Sequence, residues 1–418
     1  MDKLIQDSFL SGTVRIPSSK SDGQRALLCA ALCSGESTIT NLGDSDDELA
    51  MLKNIKALGA HVRRINPNQI GVTGSPKFLD GTTLDCGESG LGLRLLTSVI
   101  STFSGTKKII GHGSILKRQH AFFAEFLPTM GVEFNATENK LPFNLKGKLN
   151  AGNYSVDGSK SSQYISGLIM AFALLEQDTV LTVENLNSKP YVEMTLDTLK
   201  SFGIEITHEN FEQFTIRGGQ QYSPTNYKVE SDWSSASYWL VAAAIGHSIK
   251  LEGLSFDSIQ ADVGMLNALE TVNCQVTTDQ GILAVDGSKR APFQFDATDC
   301  PDLFPALVCL AVYCDGTTVI KGLERLANKE SDRGIALQQE FGNLGVKIDL
   351  KGDEMHIHGV GHLENGTVNA HNDHRIAMCL AIAGSKIKDG LRIRGAESVS
   401  KSYPGFWDDF SALIKDDQ

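Results

Sequence analysis

"MLKNIKALGAHV", residues 51 to 62, runs as a helix that stops at a glycine and continues as a strand. The same phrase returns as "FFAEFLPTMGVEF" (122–134), "TLDTLKSFGIEI" (195–206), "MLNALETVNCQV" (265–276) and "QQEFGNLGVKI" (338–348). With Gly59, Gly131, Gly203, Asn273 and Gly345 taken as one position, the copies lie 72, 72, 70 and 72 residues apart. A fixed period of this kind marks a repeated supersecondary unit.

A second phrase keeps the same period, a polar loop feeding a small-residue apolar helix. It reads "SSKSDGQRALLCAAL", "GESGLGLRLLTSVI", "GSKSSQYISGLIMA", "SDWSSASYWLVAAAI", "CPDLFPALVCLAVY" and "NDHRIAMCLAIAG", with markers Ser19, Ser89, Ser161, Trp233, Asp302 and Asp373. Short β-branched strands such as "STITNL" and "TVLTVENL" separate the two phrases. Each of six repeats therefore reads strand, loop, buried helix, strand, loop, amphipathic helix, strand. The first helix is apolar almost all round, hence interior, and the second has a polar face.

This predicts an α/β fold of two inside-out lobes, each of three repeats whose buried parallel helices are covered by sheets. The sixth repeat ends at "GFWDDFSALIKDDQ" without a closing strand, which "KLIQDSFLSGTVRI" at the N-terminus can supply. One lobe is expected at 20–228 and the other at 1–19 plus 229–418, with the active site in the cleft between them.

The 418 residues carry a net charge of -12, so no bulk field draws nucleic acid or an anionic membrane surface, and neither is expected as a partner. No apolar run reaches the roughly 18 residues of a membrane span. "MDKLIQDSFL" has no secretory pattern, and eight cysteines without a CxxC pair read as free thiols of the cytoplasm.

Against that acidic background, cations gather at the helix starts. Lys20 and Arg25 stand where a helix macrodipole favours anions, and Ser21, Gly90, Arg94, Ser161, Ser162, Gln163, His374 and Arg375 hold equivalent loops. Arg118, Ser188, Lys189, Tyr191, Lys329, Glu330, Arg333 and Lys401 come from the loops between strands. An anionic ligand would account for this concentration, and Arg25→Ala should then be nearly neutral for stability without ligand. Asp302 is either a helix cap or an acid/base group, and Glu330 either an ion-pair partner or an acid/base group. His356 and His358 share a strand face without a third ligand, so no metal is expected. "GESGLGLR" lacks the GxxxxGK[ST] pattern of a nucleotide loop.

"SSKSDGQRALLCAAL", "DGSKSSQY", "SKPY", "NKESDR", "NDHR" and "KSYPGF", in this order, resemble the EPSP synthase (3-phosphoshikimate 1-carboxyvinyltransferase) family over nearly the whole chain. The resemblance implies enolpyruvyl transfer from phosphoenolpyruvate to the 5-hydroxyl of shikimate 3-phosphate, a step of aromatic amino-acid biosynthesis, by a monomer without cofactor or metal. It implies that Lys20, Ser21, Arg25, Ser161, Ser162, Gln163, Ser188, Tyr191, Asp302 and Lys329 hold shikimate 3-phosphate. Lys20, Gly90, Arg118, Gln163, Arg333, Arg375 and Lys401 would surround phosphoenolpyruvate. Asp302 would act as base, Glu330 as proton donor, and Lys20 and His374 would assist.

The chain departs from the family at Glu88 and Leu91, at Gln119 after Arg118, and at Ala327-Asn328. The sister UDP-N-acetylglucosamine enolpyruvyl transferases usually carry a reactive Cys before the equivalent of Arg118, and "GHGSILKRQ" has none. A non-catalytic anion-binding homologue would lack Asp302, Glu330 or Lys401, and all three are present.

Overall fold

The computed structural model describes residues 1–75, 80–279, 281–286 and 290–415. The chain divides into a contiguous lobe, Ser18–Glu230, and a composite lobe of Met1–Pro17 with Ser231–Gln418.

The repeated glycine is a helix stop. Gly59, Gly131, Gly203 and Gly345 have φ of 95°, 92°, 79° and 86°, and Asn273 has 63°. A left-handed residue at this point ends a helix and turns the chain into the next strand. Glycine adopts it without a Cβ clash, and asparagine is among the side chains that tolerate it best. Backbone sterics thus set the period of the sequence.

The interior helices are Lys20–Leu32, Gly90–Ile100 and Ser162–Phe172 in the contiguous lobe, and Trp233–Ala244, Phe304–Val312 and His374–Gly384 in the composite one. Their N-caps are Ser19, Ser89, Ser161, Asp232, Leu303 and Asp373. Five of the six accept a backbone N–H with a side-chain oxygen. The fourth cap is Asp232, one residue before the sequence marker Trp233. The fifth is Leu303, so Asp302 is not a cap and its carboxylate is used elsewhere. Helices Gly90–Ile100 and Ser162–Phe172 approach closely because Gly167 has no side chain. A Cβ there would stand 2.7 Å from the Arg94 carbonyl oxygen and from Ser98 Oγ.

The repeat holds one strand more than the sequence pattern suggested, because a hairpin follows the outer helix. In the third repeat, strands Asn153–Asp157 and Thr179–Glu184 pair in parallel around helix Ser162–Phe172. Hairpin Ile206–Glu209 and Gln213–Ile216 then adds antiparallel, its second strand inside. The same spatial order recurs in five sheets.

The exceptions close the lobes. Strand Phe9–Arg15 leads into helix Lys20–Leu32 but pairs in parallel with Ser248–Glu252 of the composite lobe. Strand Asn226–Lys228 precedes helix Trp233–Ala244 but pairs in parallel with Gly35–Thr40 of the contiguous lobe. In the last sheet Asp2–Ile5 lies antiparallel to Leu391–Arg394, where the other sheets place a hairpin strand. Both lobes are inside-out, with apolar helices in the interior and sheets outside.

Candidate active site

In the composite lobe the loops before the interior helices converge on one guanidinium. Arg333, 1% exposed, opens helix Arg333–Gly342. Its Nη1 donates to Asp302 Oδ1 at 2.7 Å, its Nη2 to Glu330 Oε2 at 2.5 Å and its Nε to Asp373 Oδ2 at 2.8 Å. Arg375 Nη2 reaches Asp302 Oδ2 at 3.0 Å, and Lys329 Nζ reaches Asp302 Oδ1 at 3.3 Å. Residues more than seventy positions apart meet because the repeat brings equivalent loops to the same end of each helix layer.

Asp302 is thus a carboxylate among three cations. Burial opposes its charge, but Arg375, Lys329 and Arg333 outweigh burial and the nearby Glu330, holding it well below the usual carboxylate range. Burial lowers Lys329 despite Asp302, whereas Arg333 is raised because Asp373, Glu330 and Asp302 together exceed its burial cost. Lys401 Nζ donates to the Asn372 carbonyl at 2.7 Å. His374, 1% exposed, has Nδ1 3.9 Å from Asp373 Oδ1. His371 and Asn372 enter this loop with left-handed φ of 53° and 55°, the sort of strain that clusters at functional sites.

In the contiguous lobe Lys20 opens the first interior helix, and its Nζ lies 2.9 Å from Asp47 Oδ2. Arg25, one turn on and 1% exposed, donates Nη1 to Ser21 O (2.8 Å), Nη2 to Tyr191 O (3.0 Å) and Nε to Thr195 Oγ1 (2.8 Å). Carbonyls and a hydroxyl therefore surround a cation that the sequence alone leaves for a ligand, and Arg25 ties Ser21 to Tyr191. Ser188 caps helix Lys189–Ser201 in a left-handed conformation, φ 58°.

A third group surrounds Gly90. A Cβ there would lie 3.0 Å from Nη1 of both Arg94 and Arg118 and 3.9 Å from Gln163 Oε1. Ser161 Oγ accepts from Gln163 N at 3.3 Å, and Ser162 begins the same helix, 4% exposed. Glu88, the unexpected acid of this loop, accepts from Ser114 N at 2.8 Å and so orders the turn that leads to Arg118.

Sequence reasoning missed Asp47 and assigned no role to Asp373. Both sit in helix first turns or caps, where an acidic residue needs no further explanation. Among the described residues no group of three or more His, Cys, Asp or Glu side chains is arranged to hold a metal. His356 pairs with Glu354 at 3.0 Å and His358 with Asp349 at 2.9 Å.

The arrangement offers fixed cations for anionic groups and three carboxylates gathered on one guanidinium, of which Asp302 and Glu330 are the two that are not helix caps. A 3-phosphoshikimate 1-carboxyvinyltransferase of Clostridium perfringens (strain SM101 / Type A) is 37% identical over 415 residues, covering 98% of this chain and 97% of its own. The enzyme of that name from Clostridium kluyveri is 36% identical over 411 residues, with 98% and 96% covered. An EPSP synthase structure from Acinetobacter baumannii superposes with a TM-score of 0.81 at 25% identity, covering 99% of this chain and 98% of that one. The enolpyruvyl transferase NikO from Streptomyces tendae shares the fold, with a TM-score of 0.79 at 17% identity over 99% of this chain and 97% of that one. The family model for EPSP synthase (3-phosphoshikimate 1-carboxyvinyltransferase) matches residues 5–410, and the chain belongs to that family.

Proposed function

We propose that the protein transfers the enolpyruvyl group of phosphoenolpyruvate to the 5-hydroxyl of shikimate 3-phosphate, releasing phosphate. The observation that carries this reading is the bridging of Asp302 and Glu330 by Arg333, which holds two potential proton-transfer groups on either side of one anion-binding cation.

Adding a hydroxyl across a C=C bond needs one group to take the hydroxyl proton and another to protonate the methylene carbon. Asp302 takes the first proton and Glu330 supplies the second, while the hydroxyl oxygen bonds to the central carbon. The resulting adduct loses phosphate by C–O cleavage, and a proton leaves the methyl group to restore the double bond. Lys20 and His374 assist these transfers. Ser21, Arg25, Ser161, Ser162, Gln163, Ser188, Tyr191 and Lys329 hold shikimate 3-phosphate, with Lys20 serving both substrates. Gly90, Arg118, Gln163, Arg333, Arg375 and Lys401 surround phosphoenolpyruvate.

The electrostatics support a substrate-dependent base. In the free protein three cations hold Asp302 ionised and weakly basic. Phosphate and carboxylate groups that draw charge from Arg333, Arg375 and Lys329 raise the Asp302 pKa when a proton has to be accepted. The protein works as a monomer in the cytoplasm, and its eight free, buried cysteines fit that reducing compartment. No described helix is long and apolar enough to cross a membrane.

Phosphate release with phosphoenolpyruvate and shikimate 3-phosphate, run beside UDP-N-acetylglucosamine, tests the assignment. Release with shikimate 3-phosphate alone is expected, and release only with the sugar nucleotide would overturn it.

A further inference from the structure

We infer that Arg94, seated on Tyr164 and braced by His120, is a positioning residue that fixes which face of the Gln163 amide meets the anionic substrate. This rests on the reading of Gln163 as a substrate ligand.

Arg94 Nη1 donates to Gln163 Oε1 at 2.6 Å and to the Gly90 carbonyl at 3.3 Å. A guanidinium carries only donors, so the amide atom facing it has to be the oxygen. The Gln163 NH2 group, itself only a donor, is thereby turned to the other side. An anion accepts from such a group, whereas a flipped amide would present oxygen lone pairs and repel it. The charge-assisted bond to Arg94 removes that ambiguity.

Arg94 is itself held. Its guanidinium lies 4.9 Å over the Tyr164 ring, a cation–π contact within a buried site. The Tyr164 hydroxyl is 3.2 Å from His120 Nδ1. Phe122 stacks on Tyr164 at 4.4 Å, Phe123 meets it edge-on at 5.0 Å, and Phe143 meets His120 edge-on at 5.4 Å. His120 is fully buried, and burial followed by Arg94 and Arg118 pushes its pKa down to about 2. It is therefore a neutral brace at any working pH. Arg25 in the preceding repeat folds back on the carbonyl four residues earlier in the same way and holds Tyr191. The two repeats share this fold-back, but Arg25 meets a backbone carbonyl where Arg94 meets a side-chain amide.

The test combines kinetics with a signal that does not need turnover. Arg94→Met should raise the phosphoenolpyruvate KM by about 10- to 100-fold, the worth of a charge-assisted hydrogen bond, with kcat changed less than about threefold. Arg94→Lys, which keeps a donor-only head group, should recover most of that loss. On a Gln163→Ala background Arg94→Met should add less than about twofold, because it acts through Gln163. In protein labelled with 15N-glutamine, the Gln163 NH2 resonances, assigned by their loss in Gln163→Ala, should shift on titration with inorganic phosphate. Arg94→Met should abolish that shift while Arg94→Lys retains it. Independent, multiplying losses in the double variant, a Lys variant as poor as Met, or an unchanged phosphate response in Arg94→Met would each overturn the proposal. Wild-type protein inactive on shikimate 3-phosphate would refute the functional reading alone, since the resonance titration still decides the role of Arg94.

Discussion

Asp302 shows how one side chain carries both structure and chemistry. Its carboxylate neutralises parts of Arg333, Arg375 and Lys329, so removing the charge changes anion affinity as well as proton transfer. Asp302→Asn is expected to lower kcat on the order of 10²-fold or more, while anionic substrates bind as well as before or tighter. Steady-state kinetics with calorimetry would check both halves, and weakened binding with normal turnover would make Asp302 a positioning group. Arg25 reverses an expectation. From sequence its removal looked harmless without ligand, but three buried hydrogen bonds depend on it. Arg25→Ala should destabilise the ligand-free protein by about 2–4 kcal/mol in denaturant unfolding, from the loss of three buried hydrogen bonds and of the packing of a fully buried side chain. The sequence showed that a cation stood oddly at a helix start. It marked Tyr191 as a separate candidate but did not show that Arg25 bonds to Tyr191 and Thr195, which reach it only through the packing of two distant helices.

Elements were legible where a local rule made them so. The left-handed stops at Gly59, Gly131, Gly203, Asn273 and Gly345 and the Ser or Asp caps write themselves into the sequence because few residues serve there. The hairpin strands were not separated, since pieces such as Gln213–Ile216 and Ile282–Asp286 are too short for alternation to declare itself. One joint between elements carries a pH signal. His247 Nδ1 accepts from Leu10 N at 3.1 Å and its Nε2 lies 2.8 Å from Ser385 Oγ, joining strand Phe9–Arg15 to the end of helix His374–Gly384. Burial, then Lys386, pushes its pKa down to about 3, against roughly 6.5 unfolded. The unfolded chain binds the extra proton, so this contribution is whole above about pH 6.5 and is lost as pH falls toward 3, by up to about 1.4 kcal/mol per pH unit. His247→Gln should flatten the acid limb of the stability curve relative to wild type. Parallel curves for the two proteins would remove His247 from the account.

For the whole molecule, the exchanged strands determine which part of the chain is self-sufficient. Ser18–Glu230 contains all of its sheets, including Asn226–Lys228 beside Gly35–Thr40, and its own apolar core. Expressed alone, it should unfold cooperatively on heating. The segment 231–418 alone should not, because strand Phe9–Arg15 lies inside one of its sheets, between Ser248–Glu252 and Ile414–Lys415. Adding a 1–17 peptide should restore a sharp transition, and a sharp transition without it would contradict the strand assignment. The same exchange gives synthesis a direction. On the ribosome Phe9–Arg15 emerges before the contiguous lobe, and its parallel partner Ser248–Glu252 follows more than two hundred residues later. At bacterial or eukaryotic elongation rates that is roughly 10 to 50 seconds with an unpaired strand, while the contiguous lobe can already close. The nascent chain thus completes the contiguous lobe before a strand that precedes it, and that strand, open to mispairing during the interval, is among the last segments to fold.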